Sequence, residues 1–181
     1  MDRAKLVIRK AEFGDIAALE ALIPASARSL QAEDYTARQI DGAIGTVFGV
    51  DRMLIRDGTY FVVEANGEIV ACGGWSRRKT LFGSDHAPEK DDAWLDPLVD
   101  AARIRAFFVA PGWARQGIGS LLMRACEEAA VAYGFWKLEL AATLTGVPLY
   151  RAHGFAEIEP MEVPLPNGER LPGVKMSKSL K

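Results

Sequence analysis

The chain has 181 residues, 49% of them hydrophobic and 25% charged, a balance that suits one globular domain with a core of ordinary size and argues against an extended disordered chain. Its formal net charge of −2 offers no excess of cations for holding a nucleic acid or an anionic membrane surface. The opening MDRAKLVIRK is charged and lacks an apolar signal core, and no apolar run reaches membrane-spanning length, so the expectation is a single cytoplasmic domain over 1–181.

Lys5 to Arg9 reads as a first strand. Gly14-Asp15 then opens a helix, with Asp15 as N-cap and Ile16, Leu19, Leu22 and Ile23 as its apolar stripe; Pro24 predicts a kink or break inside it. A second helix is expected from about Thr36 to Ile44. Ser29, Gln31, Glu33, Asp34 and Tyr35, just before it, read mostly as a solvated loop. Tyr60 to Ala65 and Glu68 to Trp75 flank Asn66-Gly67, the pair that supplies the positive φ angles of a type I′ hairpin turn. Gly73-Gly74 marks a bulge or a close backbone approach in the second strand. Arg77 to Asp100 mixes charges of both signs, and reads either as a solvated loop or as a flap anchored by Trp94; His86 reads as an exposed loop residue.

The most informative stretch is RIRAFFVAPGWARQGIGSLLMR, from Arg103 to Arg124. Ile104 to Val109 has strand length and composition, and Pro111-Gly112 stops it. Gly117 and Gly119 open a helix whose apolar positions run from Ile118, Leu121 and Leu122 to Ala129 and Tyr133, with Gly134 placed for a left-handed cap. The two-residue period puts Arg103, Arg105, Phe107 and Val109 on one strand face. Two arginines there need partners, and Asp96 or Asp100 are the nearest candidates in sequence; alternatively they face a cleft and attract an acidic acceptor.

A glycine-bearing helix start is suited to anions. Its first amides have no intrahelical partner, the helix dipole adds positive charge, and glycine lets a phosphate approach the backbone. Gln116-Gly117-Ile118-Gly119-Ser120, with Arg115 beside it, has the makings of a pyrophosphate cradle. Two common phosphate motifs fail here. A dinucleotide fingerprint needs a third glycine where Leu122 stands, and a P-loop needs Gly-Lys-Ser/Thr where Gly119-Ser120-Leu121 stands.

Downstream, Phe135 to Leu140 reads as a strand, and Thr143 to Pro148 leads into a short helix carrying Tyr150, with Thr145 as N-cap and Gly154 as its end. Glu157 to Val163 and Gly173 to Ser177 read as closing strands around Asn167-Gly168. Cys72 and Cys126 have no metal or redox spacing and read as reduced core residues; with His86 and His153 the only histidines, no metal site is expected.

Val109 to Leu122 resembles the coenzyme A motif of the GNAT acyltransferases, V-x-P-x-x-[RQ]-x-x-G-x-[GA]-x-x-L, closing a strand and opening a helix. Leu149-Tyr150-Arg151-Ala152-His153-Gly154-Phe155 is similar to that family's Y-x-x-x-G-F segment, in the same order after an intervening helix and strand. The resemblance is close over Ala102 to Phe155 and general elsewhere. It implies an α/β (α+β) fold: a mixed, mostly antiparallel central sheet of about seven strands flanked by helices, with two central strands splayed apart. It implies an N-acetyltransferase that takes acetyl-CoA as co-substrate and acts on a primary amine of a small molecule or peptide. Phe108 and Val109 would line the pantetheine arm, Arg115, Gln116, Gly117, Ile118, Gly119 and Ser120 would hold the pyrophosphate, Thr143 would also bind the cofactor, and Tyr150 would be the general acid. His153 falls at a variable motif position and reads as a helix-end surface residue. Relatives often dimerise, so a homodimer is an allowed assembly.

Two positions depart from the pattern. Ala114 stands where the family usually has Arg or Gln, with the charge next door at Arg115; and Arg103 stands where many relatives carry a basic-catalyst Glu. No general base is therefore transferred; a water relayed through a carboxylate such as Glu64 is one route, and an amine that enters already deprotonated is another. The missing base also leaves a second reading, a non-catalytic acyl-CoA-binding module of the same fold.

Overall fold

The computed structural model describes residues 4–181. Strand β1 (Leu6–Lys10) pairs with β2 (Tyr60–Ala65), β2 with β3 (Glu68–Ser76), and β3 with β4 (Ala102–Val109), all antiparallel. β4 then meets β5 (Lys137–Thr143) in parallel, β5 pairs antiparallel with β7 (Arg170–Ser179), and β7 with β6 (Ala156–Pro164). The result is one open seven-stranded sheet in the order β1-β2-β3-β4-β5-β7-β6. Helices α1 (Ile16–Leu30), α2 (Ala37–Ala43) and α3 (Arg52–Arg56) cover one face through Leu19, Ile23, Ile40 and Leu54, against Tyr60, Val62, Cys72 and Phe108. Helix α4 (Ile118–Tyr133) covers the other through Ile118, Leu122, Met123 and Cys126, with α5 (Val147–Ala152) beside it. Both cysteines are buried and unbridged.

Local chemistry explains most of these elements. Asn66 and Gly67 have φ of 53° and 80°, as the β2–β3 turn requires. Thr36 and Gln39 close a reciprocal capping box on α2, with Gln39 N–H donating to Thr36 Oγ1 at 3.1 Å and Thr36 N–H to Gln39 Oε1 at 2.9 Å. Gly134, at φ 111°, ends α4.

Several expectations are corrected. Pro24 does not break α1, which runs unbroken to Leu30: the proline removes one backbone donor, and burial of Leu22, Ile23, Ser26 and Ala27 around it holds the helix together. Asp15 makes no side-chain cap to α1; its carboxylate accepts from Glu12 N–H at 2.7 Å and pairs with Arg9 at 2.8 Å. Thr145 is not the N-cap of α5, a place taken by Gly146, whose N–H donates to Thr143 Oγ1 at 3.1 Å. Helix α3 was not expected at all; it is a single turn, capped by Asp51 accepting from Met53 N–H at 3.0 Å.

The feature that places the site is the meeting of β4 and β5. They pair only through Ala102 with Leu138 and Arg103 with Glu139, then diverge, although β4 continues to Val109 and β5 to Thr143. β4 also carries a bulge against β3: its register shifts by one residue opposite Gly73, and Ala106 sits at φ 54°. A bulge reverses the in–out alternation, so the expected common face does not exist. Arg105 and Phe108 face the α1 side, while Phe107 and Val109 pack on the α4 side. Gly73 makes room for the turn, since a Cβ there would lie 2.5 Å from the Phe107 ring.

Candidate active site

After Val109 the chain makes a short 3-10 turn at Pro111–Trp113 and then a tight loop into α4. Arg115 and Gly117 are both in the left-handed region, at φ 58° and 82°. For Arg115 this backbone is strained, and left-handed residues on both sides of Gln116 are the kind of alternation that builds anion-binding turns. Gly117 is the N-cap of α4 and supplies no capping side chain, so the first amides of a sixteen-residue helix are left open. Gly119 faces Leu149 of α5; a Cβ there would be 3.0 Å from that side chain. Arg115, Gln116 and Gly117 are exposed around this mouth, and Ile118 is buried beneath it. His153 is not a free surface residue as expected. It is half-buried, with its Nε2 2.9 Å from Ser120 Oγ, in the first turn of α4. Burial lowers its pKa, Glu127 opposes the shift, and Lys178 and Arg124 add to it.

Beyond this mouth the diverging strands open a cavity. Phe107 and Phe108 of β4, Ala142 and Thr143 of β5 and Tyr150 of α5 form its near walls. Val109 lies to one side, packed with Ile118 and Leu122. The Tyr150 ring is wedged between Phe155, edge-on at 5.9 Å, and Phe107 at 6.3 Å, and Gly146 leaves it space, since a Cβ there would be 2.9 Å from the ring. Burial, with Cys126 nearby, pushes the Tyr150 phenol well above its ordinary pKa, so it stays protonated and able to donate. The far walls come from segments distant in sequence: Gln31 and Tyr35 after α1, Leu81 to Gly83, and Met161 and Pro172 of the closing hairpin. Tyr35 ties them together, its hydroxyl donating to Pro172 O at 2.6 Å and accepting from Leu144 N–H at 2.9 Å. Of the five residues before α2, Gln31 and Tyr35 are buried in this wall, whereas Ser29, Glu33 and Asp34 are exposed.

The family model described as the acetyltransferase (GNAT) domain matches residues 56–157, more than half the chain. The chain belongs to the GNAT acetyltransferase family. Solved structures of GNAT enzymes share its fold along nearly its whole length. A GCN5-related N-acetyltransferase from Rhodopseudomonas palustris superposes with a TM-score of 0.72 at 22% identity, over 99% of each chain. The PaiA N-acetyltransferase from Thermoplasma acidophilum, solved in complex with coenzyme A, gives 0.64 at 13% identity, over 97% of this chain and 99% of that one. N-acetylglutamate synthase from Neisseria gonorrhoeae, complexed with coenzyme A and N-acetyl-glutamate, gives 0.62 at 18% identity, over 99% of this chain and 36% of that one. No curated protein matches in sequence. GNAT enzymes use acetyl-CoA as co-substrate, and the open amides at the start of α4 and the unpaired edges of β4 and β5 fit it, one end taking a pyrophosphate and the gap taking an extended arm.

The two arginines of β4 are bound to acidic partners around the cavity. Arg103 and Arg105 do have acidic partners, but not Asp96 or Asp100. Arg103 pairs with Glu139 at 2.8 Å across the β4–β5 junction. Arg105, 3% exposed, pairs with the equally buried Asp51 at 2.9 Å, and Asp51 also holds Lys90 at 3.0 Å. Asp96 and Asp100 instead accept from the backbone amides of Leu98 and Asp96. Arg105 further donates to Gly83 O at 2.6 Å and Thr80 O at 3.3 Å. The segment 77–100 is thereby anchored as well as solvated: Thr80, Ser84 and Leu95 are buried, while much of 86–99 is exposed. It folds back on itself, with Lys79 N–H to Ala93 O and Thr80 N–H to Asp91 O, and Arg78 ties it to Asp57 at 2.7 Å. Trp94 lies under the guanidinium groups of Arg77 and Arg78, at 4.2 and 3.7 Å, and is half-exposed. Glu64 is held by Arg9 at 2.7 Å and does not line the cavity. Among the described residues the cavity walls present no carboxylate and no imidazole. No helix among them is long and apolar enough to cross a membrane.

Proposed function

We propose that this single-domain protein transfers an acetyl group from acetyl-CoA to a primary amine of a small molecule or peptide by direct attack, with Tyr150 as general acid. Acetyl-CoA supplies an acyl group activated as a thioester. The amides of Gly117, Ile118, Gly119 and Ser120, with Arg115 and Gln116 at the rim, hold the pyrophosphate. Past Arg103 the β4 backbone has no β5 partner, so its groups around Phe108 and Val109 are free to bind the arm and polarise the acyl carbonyl, with Thr143 on the opposite edge. The aromatic walls exclude water, which strengthens each of these contacts. The amine attacks the carbonyl carbon, the carbon–sulfur bond breaks, Tyr150 gives its proton to the departing sulfur, and the surplus proton that the amine loses returns, through solvent, to the Tyr150 phenolate. An amine that enters uncharged needs no strong base, in keeping with walls that hold none. We read its location as cytoplasmic, a reading that the buried, unbridged thiols Cys72 and Cys126 support.

The observation that supports this reading is the Tyr150 phenol, kept protonated and held between two aromatic rings in the wall of the cavity that opens where β4 and β5 part. Tyr150→Phe keeps the ring and removes the donor. Its kcat is expected to fall roughly 10²-fold with the Kd for coenzyme A unchanged. An unchanged kcat overturns the acid role. The walls without carboxylate or imidazole favour one other reading, an acyl-CoA-binding module that does not turn over. Thiol release with a panel of amines separates the two: saturable acetyl-CoA binding without release from any amine favours the module.

A further inference from the structure

Three apolar residues at the cavity are left out of the core. Leu81, Phe82 and Met161 line it and are half-buried, yet among the described residues the hydrophobic clusters of the core include none of them. Each keeps apolar surface that core packing does not cover. Such surface, wet in the free protein and set in a concave site, is what an apolar ligand removes from water on binding.

Leu81 and Phe82 are also held in place. Arg105 donates to Thr80 O at 3.3 Å and to Gly83 O at 2.6 Å, the carbonyls on either side of the pair. Asp51, at 2.9 Å, fixes Arg105 in turn. Just beyond, Ser84 N–H donates to Thr46 O at 2.8 Å and Ser84 Oγ to Gly45 O at 2.7 Å. These bonds tie the stretch to the segment that brings Val47 and Phe48 to the same cavity. The buried ion pair thus shapes a wall of hydrocarbon instead of offering a charge. This answers the expectation that the β4 arginines attract an acidic acceptor: Arg103 is committed to Glu139 and Arg105 to Asp51.

The same lining disfavours a second charge on the acceptor. Among the described residues Arg105 is the only cation in it, 3% exposed and already neutralised, so the carboxylate of an amino acid would be buried unpaired. The lining also presents no acidic side chain for the second ammonium of a polyamine. We infer that the acceptor is a monoamine with an apolar body, an aryl or branched alkyl group, and no second charge, and that Leu81 and Phe82 are the residues that select it. The inference rests on the acetyl-transfer reading above and narrows its acceptor. Burial against such walls disfavours an ammonium ion, so the form of the amine that binds is the uncharged form that attacks.

The test uses the intact protein and five amines: phenethylamine, ethylamine, phenylalanine, spermidine, and alanyl-alaninamide as the stand-in for a peptide N-terminus. For each, kcat/KM is measured by thiol release, and binding to the protein saturated with coenzyme A is measured by calorimetry. Phenethylamine is expected to be preferred over ethylamine by roughly ten- to a hundredfold, and over the other three by at least as much. Phe82→Ala and Leu81→Ala, which cut back the wall, should each lower the phenethylamine-to-ethylamine ratio several-fold and leave the affinity for coenzyme A unchanged. Phe82→Leu, which keeps hydrocarbon there, should retain most of the preference. Equal use of phenethylamine and ethylamine by the wild type, or a preference for phenylalanine, spermidine or alanyl-alaninamide, overturns the inference. So does a ratio that neither alanine variant changes, because a merely structural role lowers both kcat/KM values together. The calorimetry keeps the two readings apart. Selective binding of phenethylamine without turnover supports the apolar wall and overturns acetyl transfer. Turnover without the preference does the reverse, and neither binding nor turnover of any of the five overturns both.

Discussion

The two ends of the site are built in different ways. The proposed cradle at the start of α4 is one continuous run, Arg115 to Ser120, that would bind through backbone amides with almost no help from distant residues. The proposed acceptor end joins the end of α1, the segment 77–100, the β4 bulge and the β6–β7 hairpin, and its Tyr35 and Arg105 side chains are locked to partners from distant segments. A site made of backbone is set by local turn chemistry. A site made of side chains from several elements exists only once the whole sheet is assembled. The first kind tolerates change elsewhere in the molecule; the second transmits it.

The strongest way to test that contrast is to remove Asp51. Its carboxylate is 3% exposed and holds Arg105 and Lys90 while capping α3. Asp51→Ala leaves the Arg105 guanidinium buried without its counter-charge, a loss of about 3–5 kcal/mol. In a domain of this size that lowers Tm by roughly 10 °C. Arg105→Met in the same chain removes the stranded charge and should recover part of the loss. In thermal denaturation the double variant is expected to be more stable than Asp51→Ala alone. At temperatures where either variant is folded, acetyl transfer should be impaired through the 77–100 wall. Binding of coenzyme A, dominated by the α4 cradle, should change by no more than about twofold, as for distant independent sites. If the affinity for coenzyme A falls in step with activity, the two ends are coupled and the contrast fails.

The complementary change works on the cradle. Gly119→Val places a branched side chain against Leu149, where a Cβ alone is already 3.0 Å away, and over amides that must stay open. Calorimetric titration should show the Kd for coenzyme A raised by about tenfold, or ~1.4 kcal/mol. Gly112→Ala is the control, since a Cβ there meets nothing within 4 Å, and it should leave the Kd unchanged.

Legibility in the sequence follows the same division. The loop from Pro111 to Gly119, the Asn66-Gly67 hairpin and the Gly134 cap were readable because each answers to a φ angle or an open amide within a few residues. Gln31 and Tyr35 were read with their neighbours mostly as a solvated loop, because nothing in the polarity of RSLQAEDY separates the two buried residues from Glu33 and Asp34 beside them; burial is decided by β7 and by the β5–α5 loop, far along the chain. The arginine partners were misread for the same reason. Asp96 and Asp100 are close in sequence, whereas Glu139 and Asp51 are close in space. The face assignment failed at Phe107 because a single alanine in the left-handed region, Ala106, resets the alternation of β4, and alanine carries no sequence sign of a bulge.

The smallest effect lies where the two halves touch. His153 belongs to the Tyr150 block but reaches Ser120 of the cradle. In the free protein its pKa is lowered, chiefly by burial, so the neutral ring prevails at neutral pH. The sign for stability follows: His153 contributes most above its ordinary pKa near 6.5, and the contribution falls as pH drops and the ring is forced to charge. A phosphate at the α4 amides reverses the preference, because a nearby anion favours the charged ring. Binding is then accompanied by proton uptake, and the affinity for coenzyme A should rise by a few-fold as pH falls from about 8 to about 6. The phosphates of coenzyme A titrate in the same range and would contribute a slope of opposite sign, so the informative quantity is the difference between wild type and His153→Gln, which can keep a hydrogen bond to Ser120 but not the charge. Calorimetry in buffers of different ionisation enthalpy should show less proton uptake for His153→Gln. Equal uptake by the two proteins would mean that His153 only braces α5 against α4, and that the cradle binds its anion through backbone alone.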